Sequence, residues 1–115
     1  MTCKRGEIVL VWFPNSDLQT FKRRPALVIQ ADDLGTGMAQ VVLALVTSNV
    51  QRAGHPSRVL IPLDSPEGTA SGLRSDSVVM TDNLATVLHK GIDRILGRLP
   101  DTTAIDAALR HTLGL

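Results

Sequence analysis

The chain has 115 residues, of which 43% are hydrophobic and 20% are charged, and its formal net charge is only +1. This length predicts one domain, residues 1–115, with a single modest core. The balanced charge excludes attraction to nucleic acid through the surface as a whole, so any such binding needs a local cationic patch. The single cysteine, Cys3, excludes an internal disulfide and a cysteine metal cluster.

The N-terminal segment predicts no secretory signal, because its charged residues are not followed by a long apolar stretch ending in small residues. The longest uncharged apolar run, residues 41–46, is far too short to span a membrane. From these two features we expect a cytoplasmic protein.

Short aliphatic and β-branched runs separated by turn formers recur along the chain and indicate antiparallel strands. The most apolar run, residues 39–47, is expected to be central, whereas residues 64–72 are expected to form a turn. A helix should follow the strands, with Asp101 or Thr102 as its N-cap and Gly114 as its C-cap. This order predicts an antiparallel barrel or curled sheet packed against one C-terminal helix. The predicted strands are residues 7–13, 24–30, 39–47, 57–63, 76–81, 84–88 and 94–99.

The stretch FKRRPALVIQ, residues 21–30, concentrates positive charge directly before a proline. We interpret Lys22 and Arg23 as loop residues that steer an anionic ligand, and Arg24 as the first residue of a strand. Pro25 pushes the backbone of Arg24 into an extended conformation and would aim its side chain. The alternative is that Arg24 is a solvated charge that only protects a strand edge.

Several familiar catalytic motifs are absent from the sequence. It contains no GxxxxGK[ST] or GxGxxG phosphate loop, no HExxH and no GxSxG. The three histidines do not have the spacing of metal ligands. We therefore expect no metal and no nucleotide cofactor.

Aromatic residues are scarce, since the chain has one tryptophan, two phenylalanines and no tyrosine. A surface that stacks many bases is excluded, but one or two stacking contacts are not. Trp12 and Phe13 are expected to point to opposite faces of the first strand. We expect Trp12 to pack in a core, with a dimer interface or a stacked base as the alternatives.

Five segments occur together in one order: RGEIVLVWFP, KRRPALVIQ, ALVTSN, SGLRSDSVVMTDNLATV and ILGRLP. Together they resemble the MazF/PemK family of toxin endoribonucleases over nearly the whole chain. The resemblance implies a mainly β fold, a small SH3-like (CcdB/PemK-like) antiparallel β-barrel with a C-terminal α-helix. It also implies a homodimer that binds single-stranded RNA along a groove, and a cognate antitoxin with an acidic, disordered segment. The implied reaction is sequence-specific, metal-independent cleavage through 2′-OH attack to a 2′,3′-cyclic phosphate.

The resemblance also implies which residues form the site. Arg24 matches the family's arginine before proline, and a guanidinium offers a fork of donors that suits phosphate oxygens. Thr47 matches a hydroxyl residue at the end of the third strand, where it can hydrogen-bond a phosphate. Arg24 and Thr47 are therefore the expected catalytic residues. The expected RNA-binding residues are Lys22, Arg23, Ser48 and Asp82.

The chain departs from some relatives in one segment, where it has Met80 in place of an arginine. This removes a candidate general acid and leaves Arg24 as the main cation. Asp82 matches a position that serves as general base or RNA contact, although it also suits a turn cap beside Asn83. Two alternatives stay open for the protein: a CcdB-like toxin that binds gyrase, and a catalytically silent relative that only binds RNA.

Overall fold

The computed structural model describes residues 2–115, and six strands there form one antiparallel sheet in the order β4-β5-β3-β2-β1-β6. The predicted mainly β, antiparallel fold with a C-terminal helix is confirmed. The sheet is curled rather than closed, because the edge strands β4 and β6 are not paired with each other in the described part of the chain. The elements are β1 (Glu7–Pro14), β2 (Phe21–Val28), β3 (Gln40–Thr47), β4 (Arg58–Ile61), α1 (Pro66–Ser71), β5 (Ser77–Leu88), β6 (Ile92–Arg98) and α2 (Thr103–Leu113).

The sheet buries apolar side chains on both faces. On β1, Val9 and Val11 belong to one apolar cluster, whereas Ile8 belongs to a second cluster. Ile105 of α2 packs into that second cluster, so the helix covers one face of the sheet. Burial on both faces explains why β3 is almost continuously apolar, and its predicted central position is confirmed.

Trp12 and Phe13 lie on opposite faces of β1, as predicted. Phe13 is buried in the first cluster, with 1% of its surface exposed. Trp12 is 53% exposed, so the expectation that it packs in a core is wrong. The side-chain alternation of a strand requires one of these two neighbours to face outward, and the apolar cluster takes the phenylalanine.

The strand β2 begins at Phe21, three residues earlier than predicted. Lys22 is paired with Phe13 and Arg23 with Trp12, so their assignment to a loop is wrong. The physical reason is that the hairpin pairing with β1 continues past the proline, because the chain turns only between residues 14 and 21. The three cations therefore lie on a rigid two-stranded ribbon.

The segment predicted as a turn, residues 64–72, contains the helix α1, so that prediction is wrong. Ser65 caps the helix, since its Oγ accepts a hydrogen bond of 3.0 Å from the backbone N–H of Gly68. Pro66 occupies the first helical turn, and Gly72 ends the helix with a left-handed φ of 75°. These three residues are typical helix-capping signals, but the many turn formers in the segment favoured the prediction of a turn.

Helix α1 follows β4 and packs against β6, so it spans the two edges of the open sheet. A Cβ atom at Gly97 would lie 2.3 Å from the carbonyl oxygen of Ala70, and one at Gly72 would lie 2.0 Å from that of Leu96. Only glycine permits such close approach at both positions. The two glycines therefore bring the segment after α1 beside β6.

The two short strands predicted over residues 76–81 and 84–88 form the single strand β5. Its pairing with β3 jumps from Met80 opposite Leu45 to Leu84 opposite Ala44. The irregularity leaves residues 81–83 outside the regular β3 ladder, as in a bulge. The other predicted strands are confirmed within two residues at each end.

Thr102, one of the two predicted residues, occupies the N-cap position of α2 without a side-chain capping hydrogen bond, and Gly114 is the C-cap as predicted. The Asp101 carboxylate accepts the N–H of Thr103 at 2.9 Å, and the side-chain and backbone hydrogen bonds from Thr103 lower the pKa of Asp101. Among residues 2–115, no helix combines the length and the hydropathy that crossing a membrane requires.

Candidate active site

A cavity of about 510 Å³ lies between the ends of β2 and β3, the strand β6 and the segment that joins α1 to β5. Among residues 2–115, its walls contain five cationic side chains and no aspartate, glutamate or histidine. Five of the six predicted site residues line it: Lys22, Arg23, Arg24, Thr47 and Ser48. The fold thus brings together residues that are more than 20 positions apart in the chain.

Arg24 and Thr47 approach each other where β2 and β3 separate. The ladder between these strands ends at Ala26 opposite Leu45. Pro25 comes next, and it has no N–H with which to extend the ladder. Continuing the same register sets Arg24 opposite Thr47, at the mouth of the gap. The proline therefore opens the space that the cavity occupies and fixes the backbone of the arginine beside it.

The guanidinium of Arg24 is half-buried and held by the β1–β2 loop. Its Nη2 donates to Oδ1 of Asn15 at 2.8 Å, and Nδ2 of Asn15 donates to Oγ1 of Thr20 at 2.9 Å. The Asp17 carboxylate accepts hydrogen bonds from the backbone N–H groups of Thr20 and Gln19, which lower the pKa of Asp17. The loop is thereby closed on itself, and Asn15 is a contact of Arg24 that the sequence analysis did not find.

Thr47 is half-buried at the end of β3. Its Oγ1 accepts the backbone N–H of Asn49 at 3.1 Å, which leaves its O–H proton free to donate to a ligand. Ser48, the next residue, is exposed on the same wall. This arrangement suits hydrogen bonding to phosphate oxygens from a rigid strand end.

Lys22 and Arg23 are exposed on the adjoining ribbon. Nη1 of Arg23 lies 3.3 Å from Oδ2 of Asp93, in an ion pair whose side chains are 52% and 42% exposed. Exposed pairs of this kind contribute at most about 1 kcal/mol, so Arg23 can exchange this partner for an anionic ligand.

The opposite wall of the cavity holds residues that the sequence analysis did not place in the site. Arg74 and Ser75 precede β5, and Arg94 lies on β6 opposite Leu10 of β1. Assigning these side chains to the cavity requires knowledge of two structural features: the pairing of the first and last strands, and the position of α1. In the sequence, Arg94 forms a candidate cationic patch only with Lys90, because its neighbours in the cavity are distant in the chain.

Asp82 does not line the cavity. Its Oδ2 lies 2.9 Å from Nη2 of Arg58 in the neighbouring strand. The side-chain hydrogen bond from Arg58 lowers the pKa of Asp82. Nearby, Oγ1 of Thr81 donates to the carbonyl of Ser57 at 2.6 Å. The structure thus separates Asp82 from the five other predicted site residues and gives it a partner of its own.

The chemical groups in the cavity suit an anion. They are guanidinium, ammonium and hydroxyl groups, which donate hydrogen bonds or carry positive charge. Within residues 2–115, no three His, Cys, Asp or Glu side chains are grouped so that they could hold a metal ion. A phosphate chain is the polyanion that arginine forks and hydroxyl groups recognise most directly.

The sequence matches known relatives along nearly its full length. Endoribonuclease MazF2 of Mycobacterium bovis is 34% identical over 105 residues, which cover 89% of this chain and 88% of the relative. Endoribonuclease MazF6 of Mycobacterium tuberculosis gives the same values. The fold is similar to that of an endoribonuclease solved in complex with its cognate antitoxin from a mycobacterial species. That likeness has a TM-score of 0.74 and 22% identity, and covers 99% of this chain and 97% of the other.

A family model described as "PemK-like, MazF-like toxin of type II toxin-antitoxin system" matches residues 4–113. The match includes the cavity, both cationic walls and the helix α2. The resemblance identified from the sequence is therefore confirmed. The chain belongs to the PemK-like, MazF-like toxin family of type II toxin–antitoxin systems.

Proposed function

We propose that this toxin is a sequence-specific endoribonuclease that cleaves single-stranded RNA in the cationic cavity. The observation that carries the proposal is that Arg24 and Thr47 line one cavity, whose described lining residues include five cations and no carboxylate. The names of the relatives, which are endoribonucleases at 34% identity, support the same activity.

The proposed reaction uses the RNA's own 2′-OH as nucleophile. Its oxygen forms a bond to the adjacent phosphorus, and the bond from phosphorus to the 5′-oxygen breaks. The products are a 2′,3′-cyclic phosphate and a 5′-OH. The proton of the 2′-OH leaves to water, and the departing 5′-oxygen takes a proton from water, because the lining residues that the structure describes include no carboxylate or imidazole.

In this proposal the role of Arg24 is electrostatic. A guanidinium stays protonated, so it stabilises the extra negative charge that develops on the phosphoryl oxygens. Its backbone is fixed by Pro25, and its side chain by Asn15. Thr47 donates its O–H to a phosphoryl oxygen. Lys22, Arg23 and Ser48 bind neighbouring phosphates, and no cofactor takes part.

We further propose a cytoplasmic homodimer whose cavity is blocked by an antitoxin. An acidic, disordered segment fits the cations of the cavity and would compete with RNA phosphates for them. The similar fold that was solved with its cognate antitoxin supports the existence of such a partner. Asp82, paired with Arg58, would touch RNA only if the bound strand extends beyond the cavity.

The two alternatives predict different behaviour. A CcdB-like gyrase-binding toxin would have no use for the grouping of Arg24 and Thr47, so the cavity disfavours it. A catalytically silent relative would keep the cavity and bind RNA without cutting it. The presence of Met80 beside Thr81, in place of an arginine, is what keeps this second possibility open.

Incubation of the purified protein with a long RNA in EDTA tests the proposal. We expect cleavage at a repeated short sequence, with 2′,3′-cyclic phosphate and 5′-OH ends. The Arg24→Ala protein, prepared in parallel, controls for contaminating nucleases. RNA binding without cleavage would support the silent relative, and inhibition of gyrase without cleavage would support the gyrase-binding toxin.

A further inference from the structure

Two of the three aromatic side chains of the chain are exposed on one face of the β1–β2 ribbon. Trp12 is 53% exposed and Phe21 is 57% exposed. Alternate residues of a strand point to the same face, so Trp12 shares a face with Leu10. Arg23 is paired with Trp12 and shares this face with Phe21. The two aromatic residues therefore lie side by side on the ribbon.

This face continues directly from the cavity. Leu10 and Arg23 both line the cavity wall, and each is next to Trp12 on the ribbon. The rise of a strand places Trp12 roughly 7 Å beyond Leu10. Phe21 occupies the diagonal position across the strand pair, about 7 to 8 Å from Trp12. A strand of RNA that leaves the cavity along the ribbon would pass over both rings.

We propose that Trp12 and Phe21 form a stacking platform for the bases of single-stranded RNA whose phosphates are bound in the cavity. The inference rests on the proposed function and extends it to base binding. Grooves that bind single-stranded nucleic acid combine cations along the backbone with aromatic rings on which bases stack. Here the cavity supplies the cations, and the ribbon supplies the rings.

A second copy of the chain is the main competing occupant of this surface. In a two-fold interface the same patch meets itself, so the exposed cations Lys22 and Arg23 would face their own copies. Within the part of the chain that the structure describes, Asp93 is the one carboxylate paired with either of these two cations, through Arg23. This positive charge attracts a polyanion such as RNA, whereas it repels the same patch of a second copy. The charge of the ribbon therefore favours RNA.

The chain offers a direct probe, because Trp12 is its only tryptophan. The experiment titrates the full-length protein with a short 2′-O-methyl RNA of randomised sequence, which lacks the nucleophilic hydroxyl. A chain of the same length with abasic sites at every position provides the phosphates without the bases. We expect the RNA to quench the tryptophan fluorescence and the abasic chain to leave it nearly unchanged.

Substitutions then measure the contribution of the rings. Trp12→Ala is expected to weaken binding of the RNA about 5- to 100-fold, and Trp12→Phe is expected to restore most of it. Phe21→Ala should weaken binding in the same direction. Binding of the abasic chain and the slope of log Kd against log salt should not change, because no phosphate contact is lost. Leu60→Ala removes an exposed apolar side chain on β4 and should have no effect.

The outcomes separate this inference from the proposed function. If the wild-type protein cleaves RNA and Trp12→Ala binds the 2′-O-methyl RNA as tightly as wild type, the platform is overturned and the nuclease stands. If Trp12→Ala instead changes the mass measured by light scattering and leaves RNA affinity intact, the face is an interface between copies. A wild-type protein that neither binds nor cleaves RNA would overturn both.

Discussion

The cavity and the cluster around Asp82 contain similar polar residues, but they differ in whether those side chains have hydrogen-bond or ion-pair partners within the protein. In the Asp82 cluster, Arg58 is paired with Asp82, and the Thr81 hydroxyl bridges the Ser57 carbonyl and the hydroxyl of Thr112. In the cavity, the side chains of Arg74 and Arg94, like that of Lys22, make no hydrogen bond or ion pair with any residue from 2 to 115. The first group of residues stabilises the fold, and the second has donors that are available to a ligand.

Arg5 shows that membership of a family segment does not by itself make an arginine catalytic. It lies in the segment RGEIVLVWFP, but its guanidinium donates to the carbonyl of Ile29 and to the side chains of Thr102 and Asp106. These contacts attach α2 to the sheet. Arg24, by contrast, has Asn15 as its one side-chain partner among the described residues and lines the cavity. This difference in partners is why we assign Arg5 a structural role and propose a functional one for Arg24.

The largest effect is expected at Arg24. Arg24→Ala should lower kcat/KM for RNA cleavage about 100- to 1000-fold, because the main charge-stabilising group is lost. Arg24→Lys should lose nearly as much, since an ammonium lacks the planar fork of donors. Arg23→Lys should change the rate less than about threefold, as expected for a steering charge. Initial rates on one RNA substrate measure all three.

Arg58→Lys in the Asp82 cluster is the matched control for these variants. If it reduces cleavage as strongly as Arg24→Lys, the distinction between the two regions is wrong.

Asn15→Ala should have the next largest effect. It removes the hydrogen bond to Nη2 of Arg24 and is expected to lower kcat about tenfold with little change in KM. Asn15→Asp should restore only part of the rate, because its carboxylate also accepts from the guanidinium but adds a negative charge that offsets the cation. If Asn15 only supports the fold, Asn15→Ala should instead lower the thermal midpoint of unfolding and change kcat and KM together. Calorimetry and steady-state kinetics would show this.

Arg74 and Arg94 should act on binding rather than on chemistry. Replacing either by Ala is expected to reduce the slope of log Kd against log salt by about 0.7, the value for one lost phosphate contact on a single strand. Fluorescence anisotropy with a non-cleavable RNA at several salt concentrations gives this slope. Arg98→Ala, outside the cavity walls, serves as control. If the slopes of both variants are unchanged, the wall that contains Arg74 and Arg94 does not bind RNA phosphates.

Asp82 should give the smallest effect. Its pKa lies below the ordinary value of 3.8, so its ion pair with Arg58 contributes stability above about pH 4 and loses it as the pH falls further. Asp82→Asn should therefore lower the free energy of unfolding by at most about 1 kcal/mol at neutral pH. The difference from wild type should vanish in acid, as urea titrations at several pH values would show. A large loss of RNA cleavage in this variant would show that Asp82 takes part in the active site after all.

Much of the fold could be predicted because its signals are local. The apolar run of β3 and the cap at Gly114 depend on neighbouring residues, and both were found. The helix α1 was missed because it has only six residues, and its stability depends on packing against β6 rather than on its own sequence. The early start of β2 was missed because pairing with β1 overrides the usual preference for proline near a strand start.

The site was predictable only in part for a related reason. Arg24 and Thr47 were identified through family resemblance, and the fold places them on one cavity wall. The contact of Asn15 depends on how the β1–β2 hairpin closes, and the position of Arg94 depends on the pairing of the first and last strands; no local sequence pattern shows either. Asp82 matched the family by position, but the pairing of β4 with β5 sets it beside Arg58. Sequence reasoning thus found residues that belong to motifs and missed those that topology brings in.

The central claim is that RNA binds the cavity and leaves the Asp82 cluster untouched. The most direct test is amide chemical-shift mapping of the protein with a non-cleavable 2′-O-methyl RNA. We predict large shift changes at residues 22–24, 46–48 and 72–77, and no significant changes at residues 55–58 and 81–82. The opposite pattern, with the main changes at residues 55–58 and 81–82, would contradict the account.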